Sequence, residues 1–217
     1  MSNMTQRKFI FGFLMMLMSP VTVKAEFIYV INATSSDMTD AGGSSLSNTV
    51  NGAGLDSFPS FSAFHDAVVP DNSWRANEIS GEVIFDFGSI FDVVGFSFWN
   101  ANDVNGDTGI NGITITASTD GTTFNPISGA PTSFAKVTTS PAGPEQFTFT
   151  SPVTAQYIRF QISSNHGGTA SGFAEVAFND NTIAAVPEPS SVLLVAGSLT
   201  LAASYRRWRK RKSHLPN

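Results

Sequence analysis

The chain has 217 residues, of which 41% are hydrophobic and 13% charged, with a formal net charge of −5 and no cysteine. The missing cysteine excludes disulfides, thiol nucleophiles, Cys-based zinc sites and iron–sulfur sites. Nine of the twelve basic residues sit at the two ends, so residues 26–186 carry sixteen acidic groups against Arg75, Lys136 and Arg159, a net −13 that excludes a nucleic-acid surface. Such a body is compatible with neutral polysaccharide or divalent cations, and solubility alone also accounts for it.

Arg7 and Lys8 precede ten unbroken apolar residues at 9–18, and Pro20 then leads to small residues at Val23 and Ala25. This pattern predicts a signal peptide over 1–25, cleaved after Ala25. The apolar run is about half the ~20 residues of a spanning helix. Residues 27–31 (FIYVI) predict a strand, and 32–54 a long polar loop with little regular structure. Further strands are expected at 82–87, 93–99 and 112–118. Asp120-Gly121 then makes a hairpin turn into 122–127, and 134–138 and 146–150 are shorter candidates. At 156–162, Tyr157, Arg159 and Gln161 share one face while Ile158, Phe160 and Ile162 face the core. With 172–178 closing the domain, about eight strands at this spacing imply an all-β antiparallel sandwich over 26–183.

The C-terminal end has three parts. A linker over 184–191 contains Pro187, Glu188 and Pro189, an apolar stretch over 192–205 predicts a short transmembrane helix, and a basic tail occupies 206–217. Fourteen apolar residues are short for a span of about 17–25. The basic cluster extends the reach by snorkelling and keeps the tail cytoplasmic. The arrangement resembles the PEP-CTERM sorting signal of Gram-negative bacteria. That resemblance implies recognition by an exosortase and cleavage near the motif, after a transient stay in the inner membrane. An ordinary C-terminal anchor behind a Pro-rich linker is the alternative.

The body is similar to discoidin (factor V/VIII C-type) galactose-binding-like domains. The residues that carry the resemblance are GEVIFDFG at 81–88, VVGFSFWN at 93–100, ITITASTDGTTF at 113–124, AQYIRF at 155–160 and GFAEVAF at 172–178. It implies a jelly-roll β-sandwich. The family's D-G-x-x-x-T-x-W stretch is here 64–74, with altered spacing and no Thr before Trp74. The resemblance further implies that Glu175, in the last strand, helps bind a structural Ca²⁺ near the loop before Trp74, with Asp66, Asp71 and Asn72 as oxygen donors. The alternative is that Glu175 pairs with Arg159 or is solvated.

Trp99 and Trp74 are the aromatics available to stack on a sugar ring, with Asn100, Asn102, His65 and Arg75 as hydroxyl partners; a Trp in a sandwich is otherwise core. Residues 103–107 (DVNGD) resemble the start of an EF-hand loop, but Thr108 and Thr114 occupy positions that need Gly and an acid, so a turn is expected. Two histidines in the body cannot build a three-His metal site, and no Gly-x-Ser-x-Gly occurs. The expectation is an exported, exosortase-sorted surface or matrix protein. Its β-sandwich is non-catalytic and carbohydrate-binding, and serves extracellular polysaccharide or biofilm. The alternatives are a structural matrix protein without a ligand site, and a carbohydrate-active hydrolase, which needs two carboxylates facing each other across a cleft.

Overall fold

Alternating apolar residues in the longest strands decide the architecture. In a computed structural model that describes residues 25–180, Val83, Phe85 and Phe87 point to one side of a strand spanning Gly81–Asn100 and are all buried. This strand is β4. Before it come β1 (Glu26–Ile28), β2 (Asn32–Thr34) and β3 (Trp74–Arg75); after it come β5 (Ile113–Ser118), β6 (Asn125–Pro126), β7 (Glu145–Ile162) and β8 (Gly172–Asp180). Their order is β1-β8-β4-β7-β5-β6, with β2 also on β4 and β3 on β8, and every pairing is antiparallel. The expected signal peptide over 1–25, all but Ala25, lies outside the described residues, as do the expected linker with Pro187, Glu188 and Pro189, the expected 192–205 helix and the basic tail.

Two irregularities turn this strand set into a sandwich. Pairing of β4 with β7 shifts register between Asp86 and Phe91 and again between Val93 and Gly95. The first half of β4 pairs with β2 and the end of β7. Its second half pairs with β8 and the start of β7. Bulges bend and twist a strand, so one strand serves both layers. Phe85 of the first half meets Phe178 of β8 at 5.4 Å, and Phe160 of β7 meets Phe178 at 6.2 Å, closing the core between the layers.

The expected faces of 156–162 hold: Ile158, Phe160 and Ile162 are buried, while Arg159 reaches Thr116 and Glu82 on the other face. Residues 82–87 and 93–99 are one strand rather than two, as are 146–150 and 156–162. The expected strand at 122–127 shrinks to β6, because the Asp120 carboxylate accepts the amides of Thr122 and Thr123 and holds them in the turn. Residues 134–138 form no strand; Phe134 instead stacks on Phe98 at 3.9 Å and plugs the core. The long polar loop contains β2 and a single 3-10 turn, Leu46–Val50.

With no disulfide available, stability comes from aromatic burial. Phe85, Phe96, Phe98, Phe160, Phe173 and Phe178 are almost fully buried, each worth about 1.5–3 kcal/mol of transfer free energy. A second, smaller cluster sits on the outer face of β4 and β8. There Trp99, Ala174 and Ala177 are covered by Phe27, Leu55, Phe61 and Val68. The segment carrying Leu55, Phe61 and Val68 therefore hides a sheet face that would otherwise meet solvent.

Candidate functional site

The residues just before β3 form a loop whose carbonyls point inward. His65 is buried, with Nδ1 2.7 Å from the Asp66 carbonyl and Nε2 3.0 Å from the Asn72 carbonyl. Asn102 accepts the Val68 amide at 3.0 Å and donates to the Asp66 carbonyl at 3.1 Å. The Asn72 side chain closes the same loop, donating to the Ala67 carbonyl and accepting the Val69 amide. Asp66 and Asp71 lie on its exposed side. Glu175 is buried below the neighbouring turn, where Oε1 accepts the Gly52 amide at 3.0 Å and Oε2 has no hydrogen-bond partner. Burial pushes the Glu175 carboxyl up to about 8, against the smaller opposing effect of the Gly52 bond. Arg159 does not pair with it, being engaged by Glu82. Among the described residues no three acidic or histidine side chains gather where a metal ion would be held. The donors expected for calcium do not fit one ion: two face solvent, one is spent in the loop and one is buried apart.

The aromatic and amide candidates are structural. Trp99 is 1% exposed and donates Nε1–H to the Ala63 carbonyl at 2.9 Å. Trp74, also 1% exposed, donates to Asp40 at 2.7 Å and packs edge-on against Phe173. Neither offers a ring face to a sugar. Asn100 is buried with its amide fully used: Nδ2 donates to the Ile110 and Ala135 carbonyls, and Oδ1 accepts the Ala101 and Ile110 amides. The 103–107 stretch is a turn, as expected, with Asp103 bonded to Thr108 and Asp107 ion-paired to Lys136.

Arg75 differs from these. Lys136 pairs with Asp107 and Arg159 with Glu82, leaving Arg75 as the one described cation with no acidic partner. Its guanidinium lies over Gly42, where a Cβ would come within 3.1 Å of Nη2. It borders a cavity of about 140 Å³ whose wall includes Ser44, Val69, Pro70, Ala101, Asp103 and Thr108. Asp103 Oδ2 accepts the Thr108 hydroxyl at 2.7 Å, while Oδ1 is buried and has no hydrogen-bond partner. The cavity thus presents a cationic donor fork, with the Asp103–Thr108 pair in its wall. Hydroxyl oxygens, which accept from a guanidinium, suit such a wall.

Residues 31–176 match the family model described as F5/8 type C domain. The chain belongs to that family. Among solved structures, the F5/8 type C domain is similar to the family 32 carbohydrate-binding module of C. perfringens NanJ in complex with galactose. The TM-score is 0.52 at 14% identity, covering 72% of this chain and 100% of that one. It is similar also to a mutant of the lectin binding domain of lectinolysin complexed with Lewis b, with TM-score 0.53, 16% identity and coverage of 74% and 100%. A truncated AlyQ with carbohydrate-binding and alginate lyase domains matches with TM-score 0.50 at 22% identity over 74% of this chain, which spans 34% of that one. At these identities the shared property is the fold. No curated protein matches the chain.

Of the candidates for this F5/8 type C domain, the structure brings His65, Asn72 and Asn102 together in the loop before β3 and sets Arg75 at the cavity beside it. Asp103 as part of the cavity wall was not legible, since its sequence context points only to a turn. One signal did exist: Arg75 is one of only three basic residues in a body of net −13.

Proposed function

We propose that this protein is a non-catalytic carbohydrate-binding module, exported and sorted by an exosortase to the cell surface or matrix of a Gram-negative bacterium, where it engages extracellular polysaccharide. The observation that carries the ligand-binding part is the cavity bordered by Arg75, a guanidinium with no acidic partner, with Asp103 in its wall. Membership of the F5/8 type C family supports the reading, as do fold relatives whose complexes hold galactose and Lewis b. The cavity is small beside the roughly 300–1,000 Å³ of a drug-sized pocket, so it takes one edge of a sugar residue rather than an oligosaccharide. The body's acidity favours a neutral glycan over an anionic one.

The test is titration of the purified protein with neutral polysaccharides, with Arg75→Ala as the variant. It removes a charge-assisted hydrogen bond of about 1.5–3 kcal/mol, so affinity falls by about tenfold or more while the thermal midpoint stays near that of the parent. Equal affinity in parent and variant refutes this site.

A second reading, a structural matrix protein with no ligand site, is favoured by one observation: both described tryptophans are buried, leaving no indole face for stacking. A complete absence of glycan binding by the parent selects it.

A further inference from the structure

The family resemblance implies a calcium ion at the loop before Trp74, and the donors of this chain point elsewhere. We infer that nitrogen donors close this loop in place of a metal ion, with the His65 ring occupying the position a cation would hold, so that the domain folds and keeps its stability without calcium.

Calcium takes six to eight oxygen ligands, many of them backbone carbonyls. Here the inward carbonyls are already bonded. Those of Asp66 and Asn72 meet the two nitrogens of His65, and that of Ala67 meets the Asn72 amide. The Val69 carbonyl takes the Ser73 hydroxyl at 2.7 Å, and the Pro70 carbonyl takes Asn48 Nδ2 at 2.9 Å. Either neutral imidazole tautomer satisfies one carbonyl, and the protonated ring satisfies both.

Space argues the same way. The turn between Glu175 and the loop is packed against the ring: a Cβ on Gly54 would lie 2.6 Å from His65 Cε1 and 2.9 Å from Asn72 Nδ2. The Gly54 carbonyl accepts the Asp66 amide at 2.9 Å, fixing turn to loop. Of the carboxyls expected as calcium donors, Glu175 alone is buried, and its Oε1 is already taken by the Gly52 amide.

The test uses the full-length protein dialysed against EDTA and then returned to millimolar calcium. The expected result is far less than one calcium per chain by elemental analysis, and a thermal midpoint that calcium moves by less than about 1 °C, where an ion at hundredfold excess over its Kd raises it by several degrees. A stoichiometric calcium that survives purification, or a midpoint that falls on chelation, overturns the inference. His65→Ala leaves the Asn72 carbonyl without its ring partner, while Asp66 keeps Asn102, and it empties the ring's space, so its midpoint falls by several degrees and calcium does not restore it. A His65→Ala protein as stable as the parent also overturns the inference. If that variant fails to fold, the metal content and chelation response of the parent still decide.

Discussion

Glu175 shows how one side chain ties burial to pH. Its carboxyl is 1% exposed, one oxygen has no partner, and it is pushed up from 4.5 to about 8. Because the folded state holds the proton more tightly than the unfolded state, this group takes nothing from stability below about pH 4.5. Stability then falls as pH rises from there through about 8, and levels off above. Urea midpoints measured between pH 5 and 9 are expected to decline across that window. Glu175→Gln, which keeps an acceptor for the Gly52 amide, is expected to flatten the decline and to exceed the parent at pH 9. A parent midpoint independent of pH refutes the assignment. Asp120 has the opposite sign. The Thr123 and Thr122 amides hold its carboxylate well below the usual range, so its contribution is lost only in strong acid. Residue identity alone did not separate binding from support. Asn100, Asn102, Trp74 and Trp99 have the chemistry of sugar ligands, yet each is consumed by backbone or side-chain partners that are distant in sequence.

At the scale of elements, β4 carries the sandwich by serving both layers, and Gly95 is the point where it must approach β7. A Cβ there would stand 2.1 Å from the Phe147 carbonyl oxygen. Gly95→Ala is therefore expected to cost about 1–3 kcal/mol or more in chemical unfolding, since backbone cannot yield as a flexible side chain does. Gly143→Ala meets only Phe64, at 3.8 Å, and is expected to stay within about 0.5 kcal/mol as the control. Equal losses in both variants would remove the argument. Gly88 is also why β4 reads as two strands in sequence. A glycine between apolar runs signals a turn or a bulge equally well, and only the partner strand distinguishes them. Phe134 shows the converse: a β-favouring residue inside a short apolar run that packs as a plug on Phe98 without joining a ladder.

At the scale of the molecule, β1 and β8 run side by side with Glu26 opposite Asp180, so the described chain enters and leaves at one end of the sheet. The proposed sorting route gives a direct expectation. The intact mass of the mature protein from its host corresponds to a chain beginning at Glu26 and ending near Pro187 to Pro189, and this form is lost when the exosortase is deleted. A mass that retains the basic tail in both strains refutes sorting and leaves a plain anchor. Sequence by itself determined the β-sandwich class, the inward face of Ile158, Phe160 and Ile162, the Asp120-Gly121 turn and the acidity of the body, because periodicity, turn chemistry and charge are properties of neighbouring or summed residues. Only the tertiary structure decided which cation is unpaired, that both described tryptophans are buried, and that the loop before β3 is filled by His65. Each of those depends on contacts between segments tens of residues apart, such as Trp99 with Ala63 and Glu175 with Gly52, whose pairing no local pattern encodes.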